Sequence, residues 1–357
     1  MTLEKATIAF NLPYNQSPCY WLGVFAAHNA VSGDNSMLRS ALSSHGLNDS
    51  KGVGLYSLRI AEPWQQAWNR VRDLIRRYDI TGQVEVSLIA GEAEPDVQEF
   101  GFKRKSVEDL DRMSSSLWLG DAMLRDLIVC YMQPVQDKRG KVFGYEAFAR
   151  LETEARTVEG GQIIEASRNL NAEYMLDRYL HLKAISTFIA SDVDDFLFIN
   201  LIPGFIQRPE KYLEGLSDSA RYNGMPARQI VVDFTRSEIP RDISHLKSIL
   251  DYCRSQGYLL SLDDISSIPV TKKILETVRP DFIKLDIELV SNATDIARQR
   301  TISELVAIAH SAGATVIAEG VETEAVHAEL LRAGVDLFQG YLFSPPVAVS
   351  MLKKVAG

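Results

Sequence analysis

The sequence holds three cysteines in 357 residues, Cys19, Cys130 and Cys253, odd in number and far apart. That pattern excludes a disulfide framework and predicts buried free thiols in a reducing compartment. The six histidines fall at no close metal-ligand spacing, which argues against a zinc site. No stretch approaches the roughly 18 consecutive apolar residues of a membrane span. The best candidate, 20–31, is short and contains His28 and Asn29. Met1-Thr2-Leu3-Glu4-Lys5 is no basic segment leading into an apolar one, so no signal peptide is expected. Positive charge is in deficit as well. A net charge of −9 argues against charge-driven binding of DNA or RNA, while leaving room for a small phosphate-bearing ligand in a local site. A soluble, cytoplasmic protein is the expectation.

What remains is ordinary globular material, 46% hydrophobic and 24% charged, in a chain long enough for one to three domains. Residues 1–105 read as a small α/β unit. Strands are expected at 7–12, 53–60 and 84–89, and helices at 36–44 and 64–78. In the second helix Trp64, Trp68, Val71 and Ile75 recur at spacings of three and four, making one apolar face. The two tryptophans suit a core, or alternatively a ligand or partner surface. No catalytic motif falls in this unit, and a sensory or docking role rests on its position alone. The charged stretch 92–112, with Pro95, suits a linker, and 114–127 a helix entering a second domain, 106–357.

From Ile128 onward, strands and helices alternate. Strands are expected at 128–133, 144–149, 196–200, 230–234, 258–262, 282–285, 315–318 and 336–338. Eight strands with interleaved helices fit a (β/α)8 barrel. An open doubly wound sheet is the alternative, and the lack of a glycine-rich phosphate loop after any strand argues against its dinucleotide-binding version.

The clearest stretch runs from Tyr258 to Asp286. One apolar run stops at Asp263-Asp264, and a second ends in Lys284-Leu285-Asp286. Ligands of parallel α/β proteins sit outside the carboxyl ends of the strands, so these charges should share one face. Adjacent aspartates serve as a helix cap or turn, or else meet a divalent cation that offsets their repulsion. Glu146, Asn200, Asp233, Glu319, Glu322 and Gln339 join them at or just past other strand ends. Hard oxygen ligands dominate this set, which suits Mg²⁺ or Mn²⁺. Two metals held by shared carboxylates would suit phosphodiester cleavage, with Lys284 orienting water or stabilising phosphate charge.

The second domain resembles the EAL domain family, which hydrolyses cyclic di-GMP, a bacterial second messenger. The matching pieces are Gln133-Pro134-Val135, Tyr145-Glu146-Ala147-Phe148-Ala149-Arg150, and Asn200 followed by Pro203. They continue with Asp263-Asp264, Ile283-Lys284-Leu285-Asp286, Ala318-Glu319-Gly320-Val321-Glu322 and Gln339-Gly340-Tyr341-Leu342. Their order and approximate spacing cover 115–350. The resemblance implies a (β/α)8 barrel with one antiparallel strand, two Mg²⁺ or Mn²⁺ ions, often a homodimer, and opening of cyclic di-GMP to linear pGpG. It places Glu146, Asn200, Asp233, Asp263 and Glu319 around one metal, and Asp263 with Asp264 at the second. Lys284, Glu319, Glu322 and Gln339 would form the reaction centre, and Gln133 and Arg150 would face the dinucleotide.

Four departures from the family pattern matter. Phe148 replaces Leu in the signature triplet, keeping an apolar contact. Asp233-Phe234-Thr235-Arg236 stands where Glu-x-Thr-Glu is usual, so one carboxylate loses a methylene and another becomes a guanidinium. The loop after the paired aspartates reads Ile265-Ser266-Ser267-Ile268-Pro269, without the family's two glycines and their freedom to adopt φ > 0. Three functions are therefore weighed: a metal-dependent phosphodiesterase, slow or regulated by residues 1–105; a non-catalytic cyclic di-GMP receptor; and an interaction protein without the nucleotide.

Overall fold

The computed structural model describes residues 20–26, 42–44, 46–49, 55–60, 64–77, 84–90, 95 and 98, and 104–355 except 154–156, 204–205, 207 and 236–242. The expected strand at 7–12, most of the expected helix at 36–44, and Arg236 lie outside them. The chain separates into two compact units. One is Met1–Arg125 with Ile164–Ala172, and the other is Asp126–Ile163 with Glu173–Gly357.

The first unit contains an antiparallel sheet in the order β2-β3-β1-β4, built from β1 (Tyr20–Ala26), β2 (Asn48–Asp49), β3 (Leu55–Ile60) and β4 (Val84–Ala90). Residues 20–26 of the apolar stretch 20–31 are thus β1, flanked on both edges, with Leu22 and Val24 inaccessible. A strand paired on both edges reads here as a continuous apolar run without the alternation of a half-exposed one. The helix Trp64–Arg77 buries Trp64, Ala67, Trp68, Val71, Leu74 and Ile75, so both tryptophans are core residues. Trp68 Nε1 and Arg72 donate to Asp111 Oδ1 at 3.2 and 2.8 Å, and Arg76 donates to Asp111 Oδ2 at 2.7 Å.

The expected linker is partly helical. Val107–Ser116 is a helix, with Ser106 Oγ accepting from Asp109 N at 3.0 Å as its N-cap and two acids in its first turn, both favourable there. Glu108, Asp109 and Arg112 are exposed and Asp111 half-buried, while Leu110 and Met113 are buried. The helix expected over 114–127 is divided between this element and a second one, Trp118–Leu124.

The second unit is a closed barrel. Its eight staves are β5 (Ile128–Asp137), β6 (Val142–Glu152), β8 (Phe196–Leu201), β9 (Ile230–Thr235), β10 (Leu259–Ile265), β11 (Phe282–Leu285), β12 (Thr315–Ala318) and β13 (Leu337–Phe338), with β7 (Thr157–Glu159) and β14 (Val347–Ala348) as short additions. Parallel pairing runs from β6 through β13, and β5 closes the ring by pairing antiparallel with both β6 and β13. That closure excludes the open sheet and gives the single antiparallel strand of the expected barrel. Val135, Phe198, Val231, Phe282, Ile317 and Leu337 pack together as an apolar plug.

Candidate active site

Alternate residues of a strand share a face, and this rule builds the site directly above the plug. Two residues beyond Phe198, Val231, Phe282, Ile317 and Leu337 stand Asn200, Asp233, Lys284, Glu319 and Gln339. On β5, which runs the other way, the step is backward, from Val135 to Gln133. Gly144 leads likewise to Glu146, and Ser261 to Asp263. Each stave thus contributes one polar residue to the same end of the barrel.

Lys284 is the centre of this set. Its Nζ lies 3.0 Å from Glu146 Oε2, 2.8 Å from Asp233 Oδ2 and 2.5 Å from Glu319 Oε1. Lys284 and Asp233 are wholly inaccessible, and the Glu319 side chain is 20% exposed. Burial alone would lower the lysine pKa, but the charges of Asp233, Asp263, Glu146 and Glu319 outweigh it and raise it well above the ordinary value. Burial also raises the carboxyl pKa of Asp233, to about 7, against the pull of Lys284 and with help from the charges of Asp263 and Glu146. Glu319 is raised for the same reasons.

Amides bind the acids from the other side. Asn200 Nδ2 donates to Glu146 Oε1 at 3.0 Å, and Gln339 Nε2 donates to Glu146 Oε2 at 2.9 Å and Gln133 Oε1 at 3.1 Å. Gln133 Nε2 donates to the Ser344 carbonyl at 3.0 Å, so this residue ties β5 to the loop after β13. Two glycines let these loops close. A Cβ on Gly340 would come 2.1 Å from the Val321 carbonyl oxygen and 2.3 Å from its nitrogen. Gly320 has φ +65°, and a Cβ there would strike Ile287.

Asp263 and Asp264 occupy the end of β10, where the register with β11 shifts between Leu262 and Ile265. Asp264 takes φ +60° and donates its N–H to Asp263 Oδ1 at 2.8 Å. This bulge leaves both carboxylates half-buried, whereas a regular strand would turn them to opposite faces. Two residues, Ser266 and Ser267, then lead into the helix Ile268–Val278, with proline in its first turn.

Three expected residues stand apart from the Lys284 cluster. Arg150 pairs with Glu159 at 2.7 Å and donates to the Ala149 carbonyl at 2.9 Å. Glu322 is exposed. Asp286 caps the helix Ile287–Ser291, accepting from Glu288 N at 2.8 Å and Leu289 N at 3.3 Å. The sequence reading missed Ser344, which acts through its backbone, and His181, which touches the Asn200 carbonyl at 3.1 Å. A carbonyl leaves no sequence signal; Asp177 and His181, one turn apart in a largely apolar helix, are a legible one.

The donor chemistry fits Mg²⁺ or Mn²⁺. Asp233 Oδ1 and Gln339 Oε1 are buried and accept no hydrogen bond from any described residue, so oxygen lone pairs remain beside the carboxylates. Among the described residues no three acidic, histidine or cysteine groups stand close enough to share an ion as placed. The Lys284 ammonium takes that central position instead.

Comparison with known proteins agrees with this architecture. A probable cyclic di-GMP phosphodiesterase of Escherichia coli K12, PdeI, is 26% identical over 257 residues, covering 69% of this chain and 33% of the relative. This chain thus spans about a third of that relative's length. The FimX EAL domain of Xanthomonas citri, solved in complex with c-diGMP, matches with a TM-score of 0.61 at 20% identity over 67% of this chain and 95% of that one, a likeness of fold. A standalone EAL protein of Vibrio cholerae O395 in its c-di-GMP-bound form gives a TM-score of 0.56 at 28% identity, over 62% and 93%. The family description "EAL domain" matches residues 117–346, and the chain belongs to the EAL domain family.

Proposed function

We propose that this chain hydrolyses cyclic di-GMP to linear pGpG and requires Mg²⁺ or Mn²⁺, two ions by analogy with the family. The observation that carries this reading is the ring of strand-end polar residues around buried Lys284. A core serving stability alone gains nothing from such a cluster, because buried ion pairs give way to apolar packing at little or no loss. Glu146, Asn200, Asp233, Asp263 and Glu319 would hold one ion, and Asp263 with Asp264 the other. Bound there, the ions would supply Lewis acidity toward the phosphodiester and a more acidic water.

The protein's own groups supply the rest. Lys284 keeps three carboxylates gathered and offers fixed positive charge to the phosphate oxygens. Glu319, its pKa raised, is suited to take the proton of an attacking water. Gln339 holds Glu146 in place, and exposed Glu322 completes the rim. Gln133 contacts the dinucleotide from the same amide network, and Arg150 exchanges Glu159 for a phosphate. In this reading residues 1–105 are a regulatory module able to meet a protein partner, 106–357 are the phosphodiesterase module, and the working unit is a cytoplasmic homodimer.

A second reading, a receptor that binds cyclic di-GMP without cleaving it, draws support from Asp233. Its side chain is one methylene shorter than the glutamate usual at this position in the family. A chromatographic assay of cyclic di-GMP with Mg²⁺ or Mn²⁺, alongside binding in Ca²⁺, separates the two. Metal-dependent pGpG supports the enzyme; tight binding without product supports the receptor; the absence of both would exclude a cyclic di-GMP protein.

A further inference from the structure

Asn200 is held from both ends. Its side chain donates to Glu146, and its carbonyl oxygen lies 3.1 Å from His181 Nε2. His181 sits on the helix Glu173–Ala190 and is buried, as is Asp177 one turn before it. Asp177 Oδ1 lies 3.4 Å from the same imidazole nitrogen, and its Oδ2 accepts the hydroxyl of Tyr212, which comes from the helix Pro209–Tyr222 and is also buried. The imidazole and phenol rings meet edge to face, 6.5 Å apart.

The register explains why a side chain is needed here. The ladder between β6 and β8 ends at Glu146↔Phe198, two residues short of Asn200. β9 pairs the other edge of β8 through Leu201, and on the edge that β6 leaves the imidazole supplies a donor to the carbonyl. A carbonyl only accepts, so the contact requires the proton on His181 Nε2. A carboxylate also only accepts, so Asn200 must turn its –NH₂ toward Glu146, which leaves its Oδ1 available as an acceptor.

We infer that Tyr212 and Asp177 hold His181, whose single Nε2–H is shared between Asp177 Oδ1 and the Asn200 carbonyl, in a positioning relay that fixes the Asn200 backbone and thereby aims its amide at Glu146. The relay's bearing on the ion rests on the hydrolysis reading above. None of the three residues touches substrate in this account; they act through Asn200. Outer partners of this kind alter metal affinity or activity by about 10- to 100-fold when removed.

The test uses the full chain. Long-range ¹H–¹⁵N correlation spectra of histidine-labelled protein read the His181 tautomer without any ion. Protonation at Nε2 is expected, and a ring protonated at Nδ1 alone would overturn the relay. Mn²⁺ affinity, followed by electron paramagnetic resonance without nucleotide, and the kcat and KM for cyclic di-GMP are then compared among variants. His181→Leu, with wild-type circular dichroism, should weaken Mn²⁺ binding about tenfold or more and lower kcat with little change in KM. His181→Gln keeps an N–H donor at similar reach and should restore most of both; Tyr212→Phe should cause a smaller loss in the same direction. Wild-type Mn²⁺ affinity in folded His181→Leu, or no rescue by His181→Gln, contradicts the proposal. If wild-type protein binds Mn²⁺ but yields no pGpG, the hydrolysis reading fails while the affinities still decide the relay. If it binds no Mn²⁺, that reading fails and the tautomer decides.

Discussion

Lys284 and Asp233 are both closed to solvent, and the ammonium nitrogen of one lies 2.8 Å from a carboxylate oxygen of the other. Glu146 and Glu319 share the same nitrogen, so one cation answers for three acids. Removing it strands buried negative charge. Lys284→Met should cost about 3–5 kcal/mol in urea denaturation at neutral pH, the usual penalty for breaking a buried pair from one side. It should also abolish turnover. A loss below about 1 kcal/mol would mean the carboxylates are not paired as described.

Asp233 offers a gain instead. Asp233→Glu restores the side-chain length usual at this position in the family and should improve both Mn²⁺ affinity and turnover. The site is fully buried, so the added methylene should cost about 1–3 kcal/mol of stability. Weaker Mn²⁺ binding in a folded Asp233→Glu protein would count against Asp233 as a metal-facing group.

Gly340→Ala tests how the Gln339 loop is held. The new Cβ would collide with the Val321 backbone at 2.1–2.3 Å, and backbone cannot yield as a flexible side chain does. A stability loss of about 1–3 kcal/mol or more is expected, together with reduced turnover through displacement of Gln339 from Glu146. Wild-type stability and activity in this variant would refute the close approach.

Burial pushes the Cys130 and Cys253 thiols up to about 12. At pH 8 about one in ten thousand would be thiolate, so native protein should leave both unalkylated while denatured protein labels fully. Mass mapping of the two peptides reads this. The pKa of each thiol is raised on folding. Its stability contribution is therefore complete below the ordinary thiol value near 9 and is lost as pH rises toward 12. Denaturation midpoints should accordingly fall across that alkaline window.

The barrel was legible because buried parallel strands read as short apolar runs, and 282–285 and 315–318 coincide with β11 and β12. The strand-end residues were legible for the same reason, since each follows its run by one step of alternation. Less could be read where burial or partners break the pattern. β1 reads as a uniformly apolar stretch, and Val107–Ser116 carries charges suited to a linker until its buried side is known. Asp286 looks like Asp264 in sequence, yet one caps a helix and the other stands at a bulge. Arg150 matches a motif, and only the pairing of β6 with β7 reveals Glu159 beside it.

Chemistry at the cluster around Lys284 is what distinguishes an enzyme from a folded EAL domain that only binds. The most direct measurement compares wild-type protein with Glu146→Ala for pGpG formation from cyclic di-GMP in Mn²⁺, since Glu146 contacts Lys284, Asn200 and Gln339 together. The account predicts metal-dependent product from the wild type and none from the variant. Equal product from both, or none from the wild type, would contradict it.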